Sequence, residues 1–250
     1  MEMLQQLHLA AQYLATSGIS FLEKKADDSH TNLGFSIDKA RLETWPLDST
    51  GTQLFLNYRE FALAWSSAEE LTMDLRGKGH EEVVTWLKKT SEQLGLPSYH
   101  FDLHYSLPYS MDDNFKFELS NADQVEHLIQ SRTLAQQALA SFLEKEELVS
   151  EIRIWPHHFD TGAFTALNDG SGKSIGLGMA IPDTLVDDLY LYISGYRGHD
   201  ALRTWAFKSL TRGKWVNDAF KGAVLPVSGL TKDMAVQFFQ EALARYKNLE

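Results

Sequence analysis

The chain has 250 residues, no cysteine, and 34 acidic against 23 basic side chains, for a formal net charge of −11. That charge argues against a general nucleic-acid binder, because phosphate affinity comes from Lys and Arg. The missing thiols remove disulfide scaffolds, thiolate zinc sites, iron–sulfur clusters and cysteine nucleophiles, while 44% hydrophobic and 12% aromatic residues argue for a packed core.

The opening Met1-Glu2-Met3-Leu4-Gln5-Gln6-Leu7-His8 has no basic or unbroken apolar stretch, so no signal peptide is expected. No run approaches a spanning helix. The expectation is a soluble cytoplasmic protein with no membrane and no nucleic-acid partner. Residues 3–25 read as a helix, with Leu4, Leu7, Ala11, Leu14 and Ala15 at three- and four-residue spacing. Gly18 is its weak point, worth about 1 kcal/mol against alanine. Asp27-Asp28-Ser29 breaks it. Alternation at Leu33, Phe35 and Ile37 predicts a strand, the run 40–46 predicts another, and 47–51 is a turn. Leu54, Leu56 and Tyr58 change phase to Phe61, Leu63 and Trp65, which places a bulge or hairpin near Arg59-Glu60. Leu71, Met73 and Leu75 complete an antiparallel meander with one buried face.

A helix is expected to begin near Gly79 or His80, with Glu81 and Glu82 suiting its dipole and Gly95 and Pro97 ending it. Residues 99–105 alternate as a strand with His100, Asp102 and His104 on one face, and 106–121 reads as loop. The second half opens with a helix over about 122–148, then a strand over 151–157. Residues 164–167 and 174–181 flank the hairpin turn Asn168-Asp169-Gly170-Ser171-Gly172. Leu189, Leu191 and Ile193 mark another strand, 199–210 a short helix, 213–229 an irregular segment, and 231–246 a closing helix with Thr231 as N-cap.

Short matches relate the two halves. Leu9–Ala15 resembles Leu134–Ala140, Phe21–Lys24 resembles Phe142–Lys145, and Arg76-Gly77 with His80-Glu81 and Thr85-Trp86 resembles Arg197-Gly198 with His199-Asp200 and Thr204-Trp205. Duplication and coincident amphipathic patterning both account for them. The expected class is α+β, antiparallel sheet with long helices, in halves 1–121 and 122–250 that form one compact unit.

Chemical motifs are sparse. Gly170-Ser171-Gly172-Lys173-Ser174 lacks the earlier glycine and the following helix of a phosphate loop, since Leu167 stands at the glycine position and Ile175, Leu177, Met179 and Ile181 alternate as a strand. Gly176-Leu177-Gly178 lacks the third glycine of a dinucleotide fingerprint. Trp155-Pro156-His157-His158-Phe159-Asp160 is the densest cluster, and two imidazoles with a carboxylate suit metal binding or proton transfer. Adjacent strand residues point to opposite faces, so His157 and His158 converge only if the strand breaks at Pro156. Packing by Trp155 and Phe159 at a strand end is the competing reading. His100, Asp102 and His104 read either as metal ligands or as a strand's solvent face. His8 shares a helix face with Gln12, and His30 follows that helix; both also read as hydrogen-bonded structural residues. His80 and His199 follow glycines and read as capping or exposed positions. Glu144-Lys145-Glu146-Glu147 is a solvated helix end, and no Gly-x-Ser-x-Gly elbow or His-Glu-x-x-His helix locates a nucleophile or a metal.

Five segments, taken in order, carry a resemblance: Leu7-His8 with Gln12, His30, Leu107-Pro108-Tyr109 with Asp112, Trp155 with Phe159-Asp160, and Tyr190-Leu191-Tyr192. Their collinearity over nearly the whole chain resembles a bacterial domain-of-unknown-function family. One departure stands out. The family carries an acidic-aromatic segment followed by His and Glu near its C-terminus, and Trp215–Val224 here keeps Asp218 and Phe220 without that pair. The resemblance implies an architecture and no reaction.

The expected function is small-molecule binding in a cleft between the halves, with His8, His30, His157, His158 and Asp160 as the candidate ligand-binding residues. The alternative is a hydrolase-like enzyme using His158 and Asp160 for acid–base work, with or without a metal. No motif names a cofactor, a metal, a catalytic residue or an oligomeric state.

Overall fold

The computed structural model describes residues 2–66, 71–109, 111–112 and 114–249; residues 110 and 113 of the expected 106–121 loop lie outside them. The described residues form an α+β fold with two antiparallel sheets, and none of their helices is long and apolar enough to cross a membrane. The chain divides into two compact units. One is Met1–Gln130 with Ile154–His157, the other Ser131–Arg153 with His158–Glu250. The division falls inside helix α3, Ala122–Lys145, and again around strand β6, Arg153–Trp155.

In the first unit, helix α1, Met3–Phe21, is buried without interruption from Gln6 to Gly18. A helix enclosed on all sides must satisfy its polar side chains internally. Thr16 Oγ1 donates to Gln12 O at 2.7 Å, and Ser17 Oγ to Tyr13 O at 2.9 Å. Gly18 has a reason beyond flexibility: a Cβ there would stand 2.4 Å from the His30 carbonyl oxygen. The position expected to weaken the helix is the one that lets the following turn close onto it. The helix ends at Phe21, short of the expected residue 25, with Leu22 already extended.

Strands β1 Gly34–Ser36, β2 Arg41–Glu43, β3 Leu54–Asn57, β4 Ala62–Trp65 and β5 Thr72–Asp74 pair in sequence order, the expected meander. Phe35, Leu42, Leu56, Leu63 and Met73 stand opposite one another across all five strands. This apolar row pins the register, since a one-residue slip would expose it and turn Glu43, Ala64 and Thr72 inward. The phase change at Tyr58–Phe61 is a tight turn, with Phe61 at φ 51° and its N–H on Tyr58 O. Helix α2, His80–Gln93, starts on Gly79, whose N–H donates to Glu82 Oε2 at 3.0 Å. Lys116 Nζ reaches the same carboxylate at 2.6 Å, and together these bonds hold Glu82 down to about 2. Ile154 of β6 exchanges both backbone hydrogen bonds with Leu33, which ties 154–157 to this unit.

In the second unit, strands β7 Asp160–Ala166, β8 Lys173–Ala180, β9 Tyr190–Arg197, β10 Asp200–Ala201, β11 Lys214–Asn217 and β12 Lys221–Pro226 are joined by helix α4, Lys232–Lys247. Spatially β11, β12, β9, β8 and β7 are neighbours in that order, and β10 pairs with the end of β9. Ala163, Ile175, Leu177, Met179, Leu191, Ile193 and Ala223 supply one buried face. Tyr246 of α4 lies flat on Gly195, where a Cβ would meet its ring at 2.5 Å. Lys173 is buried with its Nζ on Tyr246 O at 3.0 Å and on Leu249 O, a cation at a helix C-terminus where the dipole favours it. Thr231 caps α4 as expected, its Oγ1 accepting from Met234 N.

Three expectations are corrected. Residues 99–105 form no strand. Their backbone is met by a side chain instead, with His100 N donating to Ser20 Oγ and Ser20 Oγ to His100 O, while the Tyr99 hydroxyl pairs with Thr16. Residues 199–210 form no helix. They hold β10 and a turn tied by Thr204 to Asn217 Oδ1, and Trp205 is 72% exposed, so the apparent apolar stripe has nothing to bury against. Residues 213–229 are not irregular but contain the β11–β12 hairpin. Gly213 and Gly222 look like breakers, yet they permit close strand approach: a Cβ would stand 2.4 Å from Val224 O and 2.5 Å from Ile193 O. The repeat match around Arg76 and Arg197 also parts here. Gly77 and Gly198 both take positive φ, but one turn leads into α2 and the other into β10.

Candidate functional site

The sequence candidates fall into separate places. His8 and Gln12 lie one turn apart on α1 and are both fully enclosed. His8 Nε2 donates to the Pro156 carbonyl at 2.7 Å, and Gln12 Nε2 donates to the same oxygen at 3.0 Å. A carbonyl only accepts, so Nε2 carries the proton; in the neutral ring Nδ1 then accepts from the Tyr109 hydroxyl, which bonds to it. Gln12 Oε1 accepts from Tyr105 at 2.6 Å. Burial pushes both tyrosine hydroxyls up, keeping them protonated donors. The His157 ring packs beside Tyr105 at 5.6 Å and Trp155 at 6.2 Å. The two lone pairs of one carbonyl thus hold the Trp155–His157 turn against α1. The chemistry of this cluster is positional: every polar atom named in it has a protein partner.

Asp160, at the start of β7, is different. It is 8% exposed and its Oδ2 accepts from the Tyr192 hydroxyl. Its Oδ1 is enclosed and meets no hydrogen-bond partner among the described residues. Burial pushes this carboxyl up, and Tyr192, His158 and Arg132 pull back against that. Register explains how Tyr192 arrives. Gly162, Gly178 and Tyr192 are directly opposite on β7, β8 and β9. A Cβ on either glycine would stand 2.9 Å from the tyrosine oxygen. Two missing side chains therefore let one ring reach across two strands to a carboxyl.

Beside it Arg132, with no exposed surface, donates from Nη1 to Thr161 Oγ1 and from Nη2 to Phe159 O, both at 2.8 Å. Its guanidinium carbon lies 4.2 Å from the Phe159 ring centroid, and its Nε has no hydrogen-bond partner among the described residues. Phe159 takes φ 58°, a left-handed conformation rare for an aromatic residue, and the Arg132 bond to its carbonyl helps hold it.

The strand ends before Pro156, as the convergence of His157 and His158 required, and a turn spans 156–159. His157 is half-buried and belongs to the first unit, while His158 is exposed and belongs to the second. His30 is buried in the turn after α1, its Nδ1 accepting from Lys25 N at 3.4 Å and its basicity lowered by burial. Its carbonyl sits against Gly18, ten residues from His8, on the order of 15 Å along a helix. His8 and His30 therefore do not meet. His104 pairs with Asp28 at 3.2 Å, and His80 meets the Tyr13 hydroxyl at 3.1 Å. Among the described residues no group of three His, Asp or Glu side chains converges as a metal would require.

Sequence reasoning missed Arg132, Tyr105 and the two glycines. Arg132 left a trace: it interrupts the three-and-four spacing of Val125, Leu128, Ile129, Ala135 and Leu139, where a cation in a core stripe must have acceptors. Gly162 and Gly178 left none, because only register reveals that they face one another. No family model matches the chain, and neither a curated protein nor a solved structure does.

Proposed function

We propose that this chain binds a small molecule, and that the polar end of the ligand is recognised in the second unit at Asp160. One observation carries the reading. Asp160 Oδ1 is buried without a donor among the described residues, and leaving such a group unsatisfied costs roughly 1–3 kcal/mol. A ligand N–H or O–H that reached it would recover that cost. Perturbed carboxyls of this kind cluster at functional sites. Phe164 and Tyr196, with ring centroids 5.8 Å apart, lie on the same sheet face roughly 13 Å further along the strands, where the far end of an elongated ligand would reach them. The resemblance to the bacterial family brings no reaction with it, so the chemistry of Asp160 decides the class.

The test is a thermal-shift screen of small aromatic amines and alcohols on the full chain. Saturation at one hundred times Kd adds about 2.7 kcal/mol to apparent stability. Asp160→Asn should abolish the shift and His30→Asn should leave it. A hit that survives Asp160→Asn sinks the reading.

A second reading is acid–base hydrolysis by His158 and Asp160. It is favoured by the upward shift of Asp160, since a general acid must hold its proton near the working pH. Among the described residues no third His, Asp or Glu joins this pair, so the reading is carried by the two side chains themselves. Metal analysis and ester-hydrolysis assays of His158→Ala separate this reading from simple binding.

A further inference from the structure

The outer face of the first unit's sheet carries a feature unrelated to Asp160. An open cavity of about 390 Å³ lies over β2–β5, lined by Lys39, Arg41, Phe55, Ala64, Ser66 and Thr72 among others. Its size falls within the range of small-molecule sites. Two cations meet here in a chain of net charge −11.

Arg41 is held from two directions. Its Nε donates to Glu43 Oε1 at 2.8 Å, and its guanidinium carbon lies 3.4 Å from the Phe55 ring centroid. Only 15% of its side chain is exposed. The carboxylate at one edge and the ring beneath fix the guanidinium plane, so little rotamer freedom remains to be lost on binding. Its terminal Nη1 and Nη2 meet no acceptor among the described residues. Lys39 is exposed, with no ion pair among those residues. Ser66 Oγ accepts from Gln53 N at 2.8 Å, which leaves its own proton to donate. Among the described residues that line the cavity the charged ones are Lys39 and Arg41, with Glu43 paired to Arg41. Asp74, on β5, is engaged by Arg76 at its own guanidinium.

We propose that this cavity binds a phosphate monoester with a planar apolar body. The oxyanion would take Nη donors of Arg41, Lys39 Nζ and the Ser66 hydroxyl. The body would lie over Ala64, beside the Phe55 ring that Arg41 covers. Arginine supplies a planar fork that matches phosphate oxygens, and lysine adds a mobile point charge. An anion bound to a strongly acidic protein must be held by such a local excess, and the attraction is screened by salt.

The experiment is calorimetric titration of the full chain with phenyl phosphate, inorganic phosphate and benzyl alcohol at low ionic strength. Phenyl phosphate is expected to bind about tenfold tighter than either fragment-like probe. Lys39→Gln should weaken it about tenfold, and Arg41→Gln by more. Lys39 is exposed, so Lys39→Gln folds as the parent does and keeps the test valid if Arg41→Gln disturbs Phe55. Binding should fade in 0.5 M salt (roughly a 4–5 Å screening length). Asp160→Asn should leave it unchanged, which separates this site from the one in the second unit. Equal affinity for phenyl and inorganic phosphate overturns the planar body; binding indifferent to Lys39→Gln and Arg41→Gln overturns the site.

Discussion

The polar clusters around His8 and Asp160 are both buried, yet they spend their hydrogen-bonding capacity in opposite ways. In the first, two side chains one helical turn apart converge on the Pro156 carbonyl, and two tyrosines complete the set. In the second, a carboxyl oxygen and the Nε of an arginine remain without partners among the described residues. A satisfied network fixes a chain segment; an unsatisfied one retains a cost that binding or proton transfer can recover. By this measure the densest motif, Trp155–Asp160, contains a structural half that ends at His157 and a chemically open half that begins at His158.

The largest effect tests the second cluster. Arg132→Met keeps most of the volume but strips donors from Phe159 O and Thr161 Oγ1, and is expected to lower unfolding free energy by roughly 3 kcal/mol in urea titration. A loss under about 1 kcal/mol would mean that the guanidinium is itself a burden, as some buried charges are. Next, His8→Ala and Gln12→Ala should each cost about 1–3 kcal/mol. Because both donate to one oxygen, the double variant should cost less than their sum; strict additivity in the cycle would show that they do not act as one clamp.

The smallest effect is a pH slope. Asp160 has its carboxyl raised in the fold, so the folded state binds the proton more tightly than the unfolded chain. Its contribution to stability is full below the unfolded value of about 3.9 and is lost as pH rises through the folded value. Glu82 and Asp48, each held to about 2 by hydrogen bonds, act the other way: their contributions are present above the unfolded value and lost on acidification. Melting temperatures from pH 4 to 7 should therefore fall less with rising pH in Asp160→Asn than in the parent chain. Identical slopes would place the carboxyl in solvent-like surroundings and remove the contrast between the clusters.

Much of the architecture was legible because it rests on local periodicity. The phase change between Tyr58 and Phe61, the Asn168–Gly172 hairpin, the Gly79 start of α2 and the Thr231 cap each leave a short-range mark. Where reading failed, the deciding partner lay far along the chain. Residues 99–105 alternate as a strand does, but Ser20 takes their backbone bonds. The segment 213–229 has the glycines of a loop, but those glycines serve close pairing in the second sheet. In the candidate site, His8 and Gln12 were visible as a helical pair. Their shared target was not, because the carbonyl of Pro156 is 144 residues from Gln12 and a backbone oxygen has no signature in sequence.

Composition and short-range pattern were enough for the class, the meander, the long helices and the exclusion of any thiol-based site, since the chain holds no cysteine. These follow from composition and from interactions within a few residues. Tertiary structure decided which polar side chains are spent and which are left over. Asp160 became a half-satisfied carboxyl only when Gly162 and Gly178 came into register beneath Tyr192. Arg41 became a fixed guanidinium only when Phe55 came under it from the neighbouring strand. Burial and pairing are properties of neighbours, and those neighbours are chosen by the fold.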